Sequence, residues 1–440
     1  MKCVCLFLKR MMIPRNSNSG LTKNTSYKVV LPFYLYAGIA LLAATVLLNF
    51  STSAFLQHYF HPHTLGITHV MALGWGTMMI LGASHQLVPV LIEQKLFSNA
   101  LAYLSFFFAG IGIPLLVVGF YQFNFGWPTQ LAAILINCAI LFYLINIGIS
   151  MAKSKNENIH AIFVFTATLW LLITTIVGLF LVYNFTFNIL SKDSLGYLPL
   201  HAHLGIIGWF LMLVIGVGSR LIPMFLISKY SNNKLLWQIY SLINFALISF
   251  IIFFLYFKMI ALYLIPLIAI AAALIMFGFY CYKSYYERIR KKVDYQVKIS
   301  LLSVFMMALP LFFLLIVIIL LVLSRNNVHL ILTYGFCIFF GWITAIIFGM
   351  TFKTLPFIIW NKVYHTKAGL GKTPNPKELF NDKIFLMMGI AYLTGFILFA
   401  SGVLISNEII IKIAAILLLI TAALYNGNIW KAVTHKPKKS

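Results

Sequence analysis

Long apolar stretches separated by short polar and basic segments run along the whole chain. Twelve of them reach about 20 residues, the length that a helix needs to cross a lipid bilayer. Their predicted bounds are 29–50, 64–92, 98–121, 127–151, 159–184, 197–227, 235–257, 260–282, 299–323, 328–358, 384–405 and 408–430. The pattern predicts an all-α, polytopic membrane bundle of about twelve transmembrane helices.

Composition supports a membrane protein and argues against a nucleic-acid partner. Of the 440 residues, 62% are hydrophobic and only 9% are charged, so lipid must cover part of the apolar surface. The net charge of +24 comes from basic residues between the apolar stretches, and these form no folded basic domain. The five cysteines show neither metal-finger spacing nor a disulfide framework.

The distribution of basic residues predicts the orientation. With the N-terminus inside, 28 of the 32 Lys and Arg fall on the inner side. The four on the outer side are Lys192, Lys258, Arg325 and Lys412. We therefore expect a multi-pass protein of the inner or plasma membrane, with both termini and the 361–382 loop in the cytoplasm. Residues 1–28 and 431–440 are predicted to be basic cytoplasmic tails around a membrane domain, 29–430.

Three of the predicted spans, 64–92, 197–227 and 328–358, share the spacing G-W-x6-G-x6-P. The motifs are Gly74-Trp75/Gly82/Pro89, Gly208-Trp209/Gly216/Pro223 and Gly341-Trp342/Gly349/Pro356. The tryptophans are 134 and 133 residues apart, which corresponds to four spans, so the pattern predicts three pseudo-symmetric four-helix units. Glycine permits close helix packing and proline ends or bends a helix, so packing alone also explains the motif.

Histidines cluster near the predicted outer ends of these spans. His69 and His203 both lie six residues before the motif tryptophan, and Phe336 takes that position in the third span. His201 lies beside His203, and His329 lies seven residues before Phe336. Histidine inside a membrane is costly, and imidazole ligates haem iron and copper, so we expect His69 and His203 to be ligands.

The remaining outer histidines precede the second span, and three of the inner ones, His160, His365 and His435, lie at predicted cytoplasmic edges. His58, His61 and His63 lie in the loop before the second span, and we expect them to be solvated. His160, at the inner edge of the fifth span, is also expected to be solvated.

The three-unit arrangement with histidines near the outer ends of spans 2, 6 and 10 resembles the catalytic subunit I of the haem-copper oxidases. That superfamily includes cytochrome c and quinol oxidases and nitric oxide reductases. The segment Thr68-His69-Val70-Met71 resembles the helix that supplies one axial ligand to a low-spin haem, and His201-Ala202-His203 resembles an H-x-H haem or copper motif.

The resemblance implies a non-covalent haem, since the chain has no C-x-x-C-H attachment motif. It implies His69 as one axial ligand, His203 or His201 as its partner and His329 as a reserve ligand, with His69, His201 and His203 as metal ligands. It further implies respiratory electron transfer or oxidoreductase chemistry on oxygen or nitric oxide, with an electron donor or a partner respiratory subunit.

The chain also departs from that family, and other functions stay open. Phe336 replaces a helix 10 ligand, and the segment 255–262 lacks the histidine pair of the family's copper site. The copper centre is therefore expected to be incomplete, and copper itself stays open. The alternatives are a membrane transporter or channel and a cofactor-free assembly subunit with the same repeated helical fold.

Overall fold

The computed structural model describes residues 25–154, 158–257, 259–364 and 373–436. Within these ranges the chain forms twelve long apolar helices and no strand, so the predicted all-α, multi-pass membrane fold is confirmed. The helices are α1 (Tyr27–Phe50), α2 (Pro62–Leu91), α3 (Asn99–Tyr121), α4 (Trp127–Ala152), α5 (Ile159–Phe187), α6 (Ser194–Leu226), α7 (Asn233–Tyr256), α8 (Ile260–Tyr286), α9 (Tyr295–Val322), α10 (Val328–Tyr364), α11 (Asp382–Leu404) and α12 (Glu408–Val433).

The helix bounds differ most from prediction at the end of α10, and next at the end of α8 (Tyr286 instead of residue 282) and the start of α9. Helix α9 begins at Tyr295 instead of residue 299, and α10 continues to Tyr364, well beyond the predicted end at 358. Pro356 lies inside α10 without ending it, because proline removes only one backbone donor and clashes only with the preceding turn. Of the predicted tails 1–28 and 431–440, residues 1–24 and 437–440 lie outside the described residues, while α1 begins at Tyr27 and α12 continues to Val433.

The three motif helices form the interior of the bundle. The most apolar stretches of α2, α6 and α10 are 78%, 61% and 72% buried, whereas that of α9 is 22% buried and faces lipid. We call the end where α2, α6 and α10 begin the histidine end, and the end where they finish the basic end.

Each motif helix has a π-helical segment at the same place, beginning five residues before its tryptophan. The segments are Val70–Thr77, Leu204–Leu211 and Cys337–Ile343. A π turn widens the helix locally, and π turns occur frequently at functional sites. The segments therefore begin directly after His69, His203 and Phe336.

Hydrogen bonds between the motif helices follow the same register. Trp75 Nε1 on α2 donates to Thr344 Oγ1 on α10 at 3.0 Å, and Trp209 Nε1 on α6 donates to Thr77 Oγ1 on α2 at 3.0 Å. Both threonines lie two residues after a motif tryptophan, where α6 has Leu211, whose side chain cannot accept a hydrogen bond. Whether the three units superpose stays a prediction.

The motif glycines allow close packing, as predicted. A Cβ at Gly82 would lie 2.6 Å from Phe33 Cβ on α1, and one at Gly216 would lie 2.2 Å from Phe163 Cβ on α5. Helices α1 and α5 therefore lie against α2 and α6 at a distance that only glycine permits.

Candidate functional site

Two histidines face each other across the gap between α2 and α6, at the histidine end. The ring centroids of His69 and His201 are 6.3 Å apart, and the ring planes are within 15° of parallel. The sequence offered His203 or His201 as the partner of His69. The structure brings His201 to this position.

Backbone carbonyls fix the tautomer of both rings. His69 Nδ1 lies 2.8 Å from the carbonyl oxygen of Leu65, and His201 Nδ1 lies 3.1 Å from that of Thr174 on α5. A carbonyl oxygen only accepts hydrogen bonds, so each neutral ring carries its proton on Nδ1 and donates it. Each Nε2 is left with a lone pair, which is the arrangement that metal-ligating histidines adopt.

The loop histidines have the opposite arrangement. Nδ1 of His58 accepts the backbone N–H of Phe60 at 3.1 Å, and Nδ1 of His61 accepts that of His63 at 3.2 Å. Neutral rings of this kind carry their proton on Nε2 and have no free lone pair for a metal. Burial, followed by the charge of His63, lowers the pKa of His61, which favours this neutral form.

His203 belongs to a different gap, between α6 and α10. Its Nδ1 lies 2.8 Å from the carbonyl oxygen of Pro199, and its Nε2 accepts a hydrogen bond from the Tyr334 hydroxyl at 3.3 Å. Tyr334 lies eight residues before Trp342, as His201 lies eight before Trp209. The two gaps are therefore built in the same register, with a tyrosine in the second gap where the first has a histidine.

His329, the predicted reserve ligand, lies apart from both gaps. Its Nε2 is 3.3 Å from Ser406 Oγ in the connection between α11 and α12. The α10 position that corresponds to His69 and His203 is Phe336, which belongs to a stack of aromatic rings. Its ring centroid lies 4.3 Å from that of Phe399 and 5.0 Å from that of Phe340. Position 336, six residues before Trp342, is thus occupied by a phenylalanine that cannot ligate a metal.

A centre with three ligands is not formed within the part of the chain that the structure describes. No three His, Cys, Asp or Glu side chains there converge on one point. The predicted metal ligands His69, His201 and His203 are divided between the two gaps, because residues two positions apart on α6 point to different neighbours. The pair His69–His201 brings two imidazoles together across the gap between α2 and α6, each with an unprotonated Nε2.

A cavity of about 690 Å³ joins the two gaps, and its walls are mainly aliphatic and aromatic. His69, His201, His203 and Tyr334 all lie on its surface. Cofactor and small-molecule sites typically measure about 300–1,000 Å³, with a few polar groups that orient the ligand. The cavity has that size and character.

Gly178 on α5 positions His201. A Cβ at residue 178 would lie 2.9 Å from Cε1 of His201, closer than ordinary van der Waals contact. The ring therefore lies directly against the helix backbone, with its Nδ1 held by the carbonyl oxygen of Thr174.

Sequence reasoning missed both Gly178 and Tyr334. The shared position eight residues before a motif tryptophan was the signal for Tyr334.

One histidine expected to be solvated is buried. His160 is 9% exposed, and its Nδ1 lies 2.9 Å from Ser219 Oγ and 3.1 Å from the carbonyl oxygen of Gly216. The prediction was wrong because α5 begins at Ile159 and its first turn packs against α6. His160 therefore joins two helices at the basic end.

No known family model and no curated protein matches this chain.

Proposed function

We propose that this chain binds one haem non-covalently, with His69 and His201 as its two axial ligands, and that it transfers electrons in a respiratory membrane. The single observation that carries the proposal is the geometry of the histidine pair. The resemblance to the haem-copper oxidases supports the proposal for His69, and the shared depth of the histidines on α2 and α6 supports a partner on α6.

The separation of the rings fits a shared iron. Metal–imidazole bonds are about 2.0–2.1 Å long in zinc sites, so two imidazoles that bound one metal ion from opposite sides would have ring centres about 6 Å apart. The centroids of His69 and His201 are 6.3 Å apart. Both rings also keep Nε2 free as a ligand through their Nδ1 hydrogen bonds.

The chain's own residues would hold and shield the cofactor. The carbonyl oxygens of Leu65 and Thr174 orient the two rings, and the apolar walls of the 690 Å³ cavity exclude water. When bound, the haem supplies reversible one-electron oxidation and reduction at iron. Because the haem would engage both His69 and His201, the proposal is limited to electron transfer and includes no oxygen or nitric oxide chemistry at this site.

Copper is not part of the proposal, because His203 is hydrogen-bonded to Tyr334 and no third ligand joins the pair within the described residues. The asymmetric distribution of basic residues favours an inner or plasma membrane location with the basic end in the cytoplasm.

The experiment is the reduced-minus-oxidised visible spectrum of protein purified from haem-replete cells. We expect the spectrum of a six-coordinate, low-spin haem in the wild type, and loss of that spectrum in His69→Ala and in His201→Ala. The matched controls are His203→Ala and His329→Ala, which should keep it. Absence of haem from the wild type would refute the proposal and leave the transporter and assembly-subunit alternatives. Loss in His203→Ala with retention in His201→Ala would mean that the wrong partner is named.

A further inference from the structure

The connection between α8 and α9, at the basic end, carries an unusual density of positive charge. We call residues 283–298 the basic segment. It contains six basic residues, Lys283, Arg288, Arg290, Lys291, Lys292 and Lys298, and two acidic ones, Glu287 and Asp294. This density exceeds what a short loop needs to set orientation.

Asp294 compensates only a part of this charge. Its carboxylate pairs with Arg290 at 2.9 Å, with Lys353 of α10 and with Lys377. Burial would raise the pKa of the Asp294 carboxyl, but hydrogen bonds and charges from Lys353 and Lys377 outweigh burial and hold that pKa below its usual value. Three cations thus surround one carboxylate, which leaves an excess of positive charge.

The other cations of the segment have no carboxylate partner in the part of the chain that the structure describes. Arg288 donates from Nη1 to the carbonyl oxygen of Tyr285 at 2.6 Å, and its Nε is a buried donor without an acceptor. None of Lys291, Lys292 and Lys298 forms an ion pair among the described residues. These cations are therefore available to an anion from outside the described part of the chain.

The basic segment is fixed to the end of α6. The backbone N–H of Ile289 donates to the carbonyl oxygen of Ile227 at 3.1 Å, and Arg288 pairs with Ser228 in a short antiparallel bridge. The charges are therefore held at a fixed depth beside the helix ends and do not extend freely into solvent.

Exposed tyrosines lie at the same level. Tyr282, Tyr286 and Tyr295 are 60%, 71% and 54% exposed. The Arg288 guanidinium lies 3.8 Å above the ring of Tyr285, and the Lys298 ammonium lies 5.4 Å from that of Tyr295. Tyrosine is enriched at the headgroup level of bilayers, where its ring is apolar and its hydroxyl is wet.

We propose that the basic segment is a binding site for the phosphate headgroup of anionic phospholipids. Clusters of four to eight Lys and Arg directly beside a transmembrane helix recognise anionic lipids in this way. The tyrosines favour a lipid over a soluble phosphate compound, because a soluble anion would leave these rings exposed to water. The site lies at the end of the bundle away from the histidine pair and is independent of the haem.

The test uses full-length protein in a neutral detergent, mixed with phosphatidylglycerol or phosphatidylcholine and measured by native mass spectrometry. We expect the wild type to retain phosphatidylglycerol preferentially. The triple variant Arg288→Gln, Lys291→Gln, Lys292→Gln should bind it at least tenfold more weakly, since each basic residue at an anionic surface contributes about fivefold. Arg290 is left unchanged so that the Asp294 cluster stays intact.

A control variant removes the same number of charges from the basic end outside the basic segment: Lys95→Gln between α2 and α3, Lys153→Gln after α4 and Lys431→Gln on α12. It should bind phosphatidylglycerol as the wild type does, and a thermal unfolding curve confirms that each variant is folded. Equal loss in both variants would show that total charge alone acts and would overturn the site. Equal retention of the two lipids by the wild type would overturn it, as would displacement of phosphatidylglycerol by millimolar inorganic phosphate.

Discussion

Adding one methyl group at Gly178 tests whether the position of His201 matters, without removing a ligand. A Cβ there would lie 2.9 Å from His201 Cε1, whereas ordinary carbon contacts begin at about 3.5 Å. The ring must therefore move by about 0.5 Å away from α5, which stretches the 3.1 Å hydrogen bond to Thr174. The atom displaced belongs to the end of a side chain, so the helices should still pack.

We expect Gly178→Ala to bind haem about 10-fold to 100-fold more weakly, which is the usual cost of disturbing a group that orients a metal ligand. The haem that remains should show a larger high-spin fraction, because the His201–iron bond is weakened. Haem titration of the purified apoprotein, followed by absorbance, measures both effects. The control is Gly427→Ala on α12, where a Cβ would meet no atom within 4 Å.

A Gly178→Ala protein with wild-type affinity and spectrum would refute the assignment of His201, since the ring cannot keep its place beside the new methyl group. Equal weakening in Gly427→Ala would show that the effect comes from general helix packing and not from His201.

Three further predictions concern the fold and its orientation. Trp75→Phe should lower the free energy of unfolding by about 1 kcal/mol, because it removes the hydrogen bond to Thr344. Adding Thr344→Val to that variant should lower it little further, as a double-mutant cycle of unfolding free energies would show. Asp294→Asn should lower the unfolding temperature at pH 7. The neighbouring cations depress the pKa of Asp294, so its ionised carboxylate stabilises the wild type fully above about pH 4, and this stabilisation falls as the pH drops below the ordinary carboxyl pKa. The variant should therefore lose less stability than the wild type on acidification. Melting curves recorded as a function of pH would reveal the difference. In a cysteine-free background, Lys372→Cys should resist an impermeant thiol reagent added outside cells while Glu408→Cys reacts, and the reverse labelling would overturn the orientation.

The fold could be predicted because apolar length is a local property. Every predicted span corresponds to a helix, since twenty apolar residues have no other stable arrangement in lipid. Close packing at Gly82 and Gly216 was also predicted, but the sequence did not identify α1 and α5 as the neighbouring helices. The late end of α10 was missed because Pro356 was given too much weight.

The site was predicted only in part, because pairing between helices is not a local property. His69 was proposed as a ligand from its repeat position and depth, and that assignment stays a prediction, whereas the histidine that lies opposite it depends on how α6 is rotated against α2. Two adjacent candidates, His201 and His203, lie on different faces of α6, and the π segment that begins at Leu204 breaks the regular helical period just beside them. A regular helix drawn from the sequence could not decide between them.

The most direct test of the central claim is the electron paramagnetic resonance spectrum of the oxidised, haem-replete wild type at low temperature. Two imidazoles whose planes lie within 15° of parallel act on the iron orbitals in the same direction, so His69 and His201 together predict a rhombic low-spin ferric signal. The signal should convert to a high-spin form in His201→Ala and stay unchanged in His203→Ala. A high-spin wild type, or no haem signal at all, would contradict the account.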